Sequence, residues 1–373
     1  MSQMKTDLPT TCRAAVFIGA GKVQLQELEL SRPAEGEVLV RIDCCTLCGS
    51  DLHTFTGARK EPTPSILGHE IIGQVVAVGA TPMRELSGMP LSPGDRVTWS
   101  VVVSCNACQR CQSGLPQKCT QLAKYGHALA VGRQGLAGGL AEYVLLREGS
   151  AVVKLPEAGE HQAARDEILC PANCATATIC AAYRAAGEIA GSRVLILGAG
   201  MLGLTASAIA RAEGAAEVVV VDRDARRLER ALEFGASSTI RIDDAAALTE
   251  KLEARSRASF DRVLELTGSP ALTEAGFSAT DIGGSLVLVG AVMPTEAIRL
   301  DPEQIIRRCL TVRGVHNYAP QDLQKAVAFL LEYGDRFPFA DLVEASFPLD
   351  EIENAVQHAI EHKPIRLAIR PLG

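Results

Sequence analysis

The chain has 373 residues, long enough to form two domains rather than one small core. Its net charge of −7, with no dense Lys/Arg run, excludes a nucleic-acid partner or a docking patch for an anionic membrane. Hydrophobic residues at 47% beside 22% charged ones are ordinary for a globular protein. The opening Met1-Ser2-Gln3-Met4-Lys5-Thr6-Asp7 lacks the apolar region of a signal peptide, and no apolar run is long enough to span a bilayer. The twelve cysteines are therefore expected to be metal ligands and core thiols in a reducing cytoplasm, not a disulfide framework.

Residues 12–42 read as all-β. Arg13-Ala14-Ala15-Val16-Phe17 and Val38-Leu39-Val40-Arg41-Ile42 are short strand-like runs, separated by Gly19, Gly21, Pro33 and Gly36. Ile71 to Gly79 is a further strand in which Gly73 marks a bulge or a close approach, and Pro93-Gly94 turns into the next. Between these strands lie Cys45-Thr46-Leu47-Cys48-Gly49-Ser50-Asp51-Leu52-His53 and Gly68-His69-Glu70. A thiolate and an imidazole suit zinc, and a catalytic zinc keeps one position open for substrate. Cys48 and His69 read as two of three protein ligands. Ser50 is placed to take a proton from a zinc-bound oxygen and His53 to hand it to solvent, with Asp51 and Glu70 orienting the ligands. The competing readings are a Cys45/Cys48 redox pair or half of a structural site, with Cys44 a buried thiol.

Cys105, Cys108, Cys111 and Cys119 follow within one short lobe, residues 104–120. All-cysteine ligation leaves no open position, so a structural zinc is expected, with an iron–sulfur cluster as the rival. His127, in Lys124-Tyr125-Gly126-His127, reads as a solvated loop histidine rather than a pocket wall.

Taken together, these motifs resemble the zinc-dependent alcohol dehydrogenases of the medium-chain family, and the likeness runs nearly end to end. The resemblance implies a partly open, GroES-like β-barrel catalytic domain over 1–175, a Rossmann domain over 176–314 and a return to the first domain over 315–373. It also implies a third ligand for the catalytic zinc just before the nucleotide fold, where Cys174 falls. Cys170 is the competitor and Cys180 a core thiol.

Arg193-Val194-Leu195-Ile196-Leu197 leads into Gly198-Ala199-Gly200-Met201-Leu202-Gly203 and an alanine-rich helix, and Val218 to Val221 ends at Asp222. Strand, glycine turn, helix and a following acidic residue make the Rossmann fingerprint. Gly198 permits the turn, Gly200 lets the backbone approach a pyrophosphate at the helix N-terminus, and Gly203 allows close packing. Met201 and Leu202 open that helix. Asp222 would bond the adenosine ribose and repel a 2′-phosphate, so NAD is expected rather than NADP. Arg223, Arg226 and Arg227 pull the other way and read as a solvated helix start.

A helix ending at Gly235, strands at Phe260–Glu265 and Gly283–Gly290, and helices over 321–333 and 350–362 complete the pattern. The family resemblance assigns the backbone of Gly290, Ala291 and Val292 to the nicotinamide amide and Arg366 to the pyrophosphate. Liver-type members carry a basic residue directly after the first zinc cysteine. Here it is Gly49, which shifts that contact toward Arg366 and the helix N-terminus.

The expected chemistry is reversible oxidation of an alcohol to an aldehyde or ketone with NAD and two zinc ions. Thr98-Trp99-Ser100, Gly114 to Cys119, Lys124 to His127 and Arg307 to Tyr318 resemble a branch associated with phosphonate catabolism, implying a phosphonate-bearing substrate. Arg59, Lys60 and His316 are the cations or titratable groups expected near such an anion. The alternatives are a sorbitol- or threonine-type dehydrogenase and, more remotely, a non-catalytic NAD(H)-sensing zinc protein. By analogy the chain is expected to be a homodimer or tetramer.

Overall fold

A computed structural model describes residues 8–255 and 259–372. The opening seven residues, read above as lacking an apolar leader, lie outside the described residues. The chain divides into two compact units, Met1–Asn173 with Asp341–Gly373, and Cys174–Ala340.

The first unit is built on an eight-stranded sheet curled into a half-barrel. Along it run Val343–Pro348, Arg366–Arg370, Val38–Thr46, Glu70–Val78, Arg96–Val103 and Ala123–Lys124, with Tyr143–Leu146 and Ser150–Lys154 joined to its middle strands. All pairings are antiparallel except that between Val343–Pro348 and Arg366–Arg370. Register slips between Val38–Thr46 and Glu70–Val78 at Leu39/Val40 and Ile42/Cys44, and such bulges sharpen the twist that curls a sheet. Gly73 sits in this region because a Cβ there would come within 2.2 Å of the Arg41 carbonyl. The core gathers Val16, Leu39, Ile42, Ile71, Leu140 and Trp99, the last set edge-on to Tyr125. A smaller sheet of Lys22–Glu29, Thr11–Gly19 and Ser65–Ile66 packs beside it.

The second unit holds six parallel strands in the order Ser238–Arg241, Glu217–Asp222, Arg193–Leu197, Phe260–Glu265, Thr280–Leu288, Thr311–Gly314. Val218 to Val221 and Val194 to Leu197 are buried continuously, as strands covered on both faces require. Chain order reverses beside Arg193–Leu197, the place where open α/β sheets bind ligands. This unit runs on to Ala340, past the return expected at residue 315. Two packing facts account for this. Thr311–Gly314 extends the parallel sheet, and the helix Pro320–Tyr333 packs on the helix Ala175–Ala186, where Arg184 grips Asp322 with two bonds of 2.8 and 2.7 Å. No helix among the described residues is long and apolar enough to cross a membrane.

Candidate metal centres and active site

Cys48 lies two residues past the strand Val38–Thr46 and caps the short helix Gly49–Phe55. The helix starts here because Asp51 reaches back, its Oδ2 accepting the Cys48 N–H at 2.9 Å. The second oxygen of Asp51 accepts the Gly68 N–H at 3.1 Å and lies 3.2 Å from His69 Nδ1. One buried carboxylate thus ties Cys48 to His69 and fixes which imidazole nitrogen is left for a metal. Burial pushes the Asp51 carboxyl up, but the neighbouring His69 outweighs it and holds the group below the usual carboxylate range.

Asn173, buried, donates to the carbonyls of His69 at 2.9 Å and Trp99 at 2.7 Å, and this anchors the residue that follows it, Cys174. The ligand atoms of Cys48, His69, Glu70 and Cys174 all lie within 4.8 Å of one another. Cys170 takes no part, because its buried sulfur donates instead to the carbonyls of Cys44 and Glu70. Cys45 is fully buried in the sheet, its sulfur pressed toward Gly68 and Gly139, so it does not form a thiol pair with Cys48.

Glu70 is held off by other partners. Arg366 grips it with two bonds of 2.7 Å, and Thr46 Oγ1 donates to it at 2.6 Å. Burial still pushes the Glu70 carboxyl up, against the pull of Arg366. The Arg366 guanidinium also lies 3.7 Å from the Cys48 sulfur. The family resemblance implies a pyrophosphate as its partner. In the structure that partner is a buried carboxylate beside the candidate metal site.

Ser50 and His53 share the helix Gly49–Phe55, Ser50 half-buried and His53 exposed. His127 departs from the sequence expectation. Its side chain is only 8% exposed, and its ring centroid lies 5.1 Å from that of His69. The cause is Gly126, whose left-handed φ of 76° and missing Cβ let the chain pass against the Gly68 carbonyl. Such a glycine directly before a histidine was the signal available in the sequence.

In the lobe, the sulfurs of Cys105 and Cys119 are 3.4 Å apart, those of Cys108 and Cys111 3.5 Å, and those of Cys108 and Cys119 4.0 Å. Four sulfurs about 2.3 Å from a tetrahedral zinc would lie roughly this far from one another. Backbone N–H groups, chiefly those of Thr120 and Cys111, hold the Cys108 thiol down at about 5, favouring the thiolate a metal requires.

In the second unit, Gly198 has φ of 109°, and a Cβ on Gly203 would fall 1.8 Å from the Gly198 carbonyl. The turn and the helix Met201–Ala212 can approach only with glycine at both positions. Asp222 accepts the Ala199 N–H at 2.7 Å and the Asp224 N–H at 2.9 Å, so it also braces the glycine turn. A cavity of 650 Å³ opens there, lined among others by Gly198, Gly200, Asp222, Arg223, Arg227 and Thr267. Glu265, which the sequence reading passed over, is fully buried and accepts the N–H groups of Thr267 at 2.7 Å and Gly268 at 2.9 Å. It shapes the loop against Gly290, where a Cβ would come within 2.3 Å of the Gly268 nitrogen.

Residues 34–157 match the alcohol dehydrogenase GroES-like domain, and residues 202–332 match the zinc-binding dehydrogenase domain. A 5-exo-hydroxycamphor dehydrogenase from Pseudomonas putida is 30% identical over 92% of this chain and 94% of its own length. A sorbitol dehydrogenase from Bacillus subtilis is 28% identical over 96% of this chain and 97% of its own. A crystal structure of an alcohol dehydrogenase from Thermotoga maritima superposes with a TM-score of 0.89 at 27% identity, covering 97% of this chain and all of that one. The chain belongs to the zinc-dependent medium-chain alcohol dehydrogenase family. This dehydrogenase is accordingly an oxidoreductase of alcohols that uses zinc and a nicotinamide cofactor.

The dehydrogenase keeps Cys48, His69 and Cys174 together, and keeps its glycine turn, Asp222 and Arg223 around one cavity. Arg59, read as a possible anion receiver, is paired with Glu61 at 2.6 Å, and His316 is exposed on the second unit. Val292, assigned to the nicotinamide, is 61% exposed.

Proposed function

We propose that the protein oxidises an alcohol to an aldehyde or ketone with NAD, using a catalytic zinc held by Cys48, His69 and Cys174 and a structural zinc held by Cys105, Cys108, Cys111 and Cys119. The observation that supports this reading is the meeting of two sulfurs and a carboxylate-oriented imidazole within 4.8 Å, a donor set suited to zinc. When bound, the zinc supplies a Lewis acid that lowers the pKa of the alcohol. Ser50 is placed to accept the proton and His53, exposed on the same helix, to release it to water, and a bound nicotinamide ribose would be the bridge between them. Asp51 holds His69 in one tautomer, and Arg366 keeps Glu70 engaged. The glycine turn Gly198 to Gly203 would hold the cofactor, whose nicotinamide would supply the hydride acceptor.

NAD is preferred because the Asp222 carboxylate, fixed by two backbone N–H groups at the glycine turn, would repel a 2′-phosphate. The twelve cysteines form no disulfide among the described residues, which suits a cytoplasmic setting. The outer strand Thr311–Gly314 offers an edge for joining a second copy as a dimer or tetramer. Within the alcohols, a phosphonate-bearing compound is the finer reading, resting on the sequence stretches that resemble that branch.

The test is NADH absorbance with zinc-loaded protein and a panel of plain alcohols, polyols, amino alcohols and hydroxyalkylphosphonates, each with NAD and NADP. NAD-linked turnover that Ser50→Ala abolishes while NAD still binds supports the reading. Full turnover in Ser50→Ala contradicts the relay.

A further inference from the structure

Beside the candidate catalytic site, four side chains form a polar cluster that the reaction above does not use. Glu61 lies at its centre, 12% exposed, and one of its oxygens meets Arg59 at 2.6 Å and His127 Nδ1 at 3.2 Å. The His127 contact is out of line for a full hydrogen bond, so it is mainly electrostatic. Lys124 is half-buried on the strand Ala123–Lys124, three residues before His127, and has no carboxylate within ion-pairing reach among the described residues. Burial pushes its ammonium pKa down, and the nearby Arg59 adds to that. Burial pushes the Glu61 carboxyl up, but His127, Arg59 and Lys124 together hold it below the usual range.

The charges do not balance. Two cations, Arg59 and Lys124, share the one carboxylate Glu61, and the half-buried positive charge left over is a cost the fold carries for some return. The His127 ring, tilted 34° to the His69 ring with centroids 5.1 Å apart, joins this surplus positive charge to the candidate ligand His69.

We propose that Arg59 and Lys124 form the receiving site for the anionic end of a small alcohol substrate. Glu61 fixes Arg59, and the His127 ring sets the spacing between the anion and the carbinol. This rests on the alcohol-oxidising reading and names the substrate class, a hydroxy compound carrying a carboxylate or a tetrahedral oxyanion a few bonds from its hydroxyl. Lys124 acts as a point charge and Arg59 as a planar fork.

The experiment uses the zinc-loaded protein with NAD. Calorimetry measures the Kd of two anions that cannot be oxidised, ethylphosphonate and propanoate. Kinetics compares kcat/KM for 2-hydroxyethylphosphonate and 3-hydroxypropanoate with that for 1-propanol. The wild type is expected to bind at least one anion and to prefer the matching hydroxy compound. Lys124→Met is expected to weaken anion binding about 10- to 100-fold, as the loss of one charge-assisted bond implies, and to reduce the preference by a similar factor. Lys124→Arg should recover most of both, which separates a binding role from a fold defect. Equal anion affinity in the wild type and Lys124→Met, or no anion binding by the wild type, overturns the site. A wild type that oxidises plain alcohols with no preference for anions overturns the site alone. One that binds the anions through Lys124 but oxidises no alcohol supports the site and overturns the reaction.

Discussion

The two sulfur-rich clusters are built in opposite ways. Cys105, Cys108, Cys111 and Cys119 come from one short lobe, and their partners are one another and backbone N–H groups. Cys48, His69 and Cys174 come from three separate stretches, and each is steered by a buried neighbour: Asp51, Arg366 or Asn173. On the proposed reading, the first arrangement would saturate a zinc and serve structure alone. The second, with Glu70 engaged by Arg366, would leave a position open beside groups that fix charge and orientation.

Removing ligands breaks the comparison most sharply. His69→Ala should lower turnover about a thousandfold or more, since the Lewis acid supplies several kcal/mol of barrier reduction, while the protein remains folded. Cys111→Ser should instead lower the melting temperature and leave turnover per folded molecule intact. Melting curves beside NADH rates distinguish the two. Next in size is Arg366→Leu, which strands the fully buried Glu70 without its partner. A cost of roughly 3–5 kcal/mol is expected in urea unfolding.

Asp51→Asn sharpens the contrast further. It removes the carboxylate that orients His69, so zinc affinity at the catalytic site alone should fall about 10- to 100-fold in a chelator competition. The smallest effect belongs to a cap far from either cluster. Asp224 accepts the N–H groups of Arg226 at 2.9 Å and Arg227 at 3.4 Å, and Asp224→Ala should cost about 1 kcal/mol. Burial pushes the Asp224 carboxyl up, but the N–H groups and charges of Arg227 and Arg226 together outweigh it and hold it low. Its contribution is therefore present above the unfolded pKa and lost as pH falls through the folded one, so wild type and Asp224→Ala should converge in acid.

The same contrast explains what could be read in advance. The lobe was legible because its ligands are close in sequence, and the glycine turn because Gly198, Gly203 and Asp222 obey a local spacing. The parallel sheet followed from continuous apolar strands such as Val218 to Val221. Contacts between distant residues were not legible. Nothing near Arg366 in sequence points to Glu70, and beyond the close approach that Gly126 allows, nothing near His127 names His69 or Glu61 as its neighbours. The extension of the second unit to Ala340 likewise rests on helix packing through Arg184 and Asp322, which local patterns do not encode.

On the proposed reading, Cys174 rather than Cys170 completes a catalytic zinc site with Cys48 and His69. The most direct test is zinc content per chain together with NADH formation in Cys174→Ser and Cys170→Ser. The account predicts that Cys174→Ser retains one zinc and stops producing NADH, while Cys170→Ser retains both ions and turnover. Two ions and undiminished NADH formation in Cys174→Ser would contradict it.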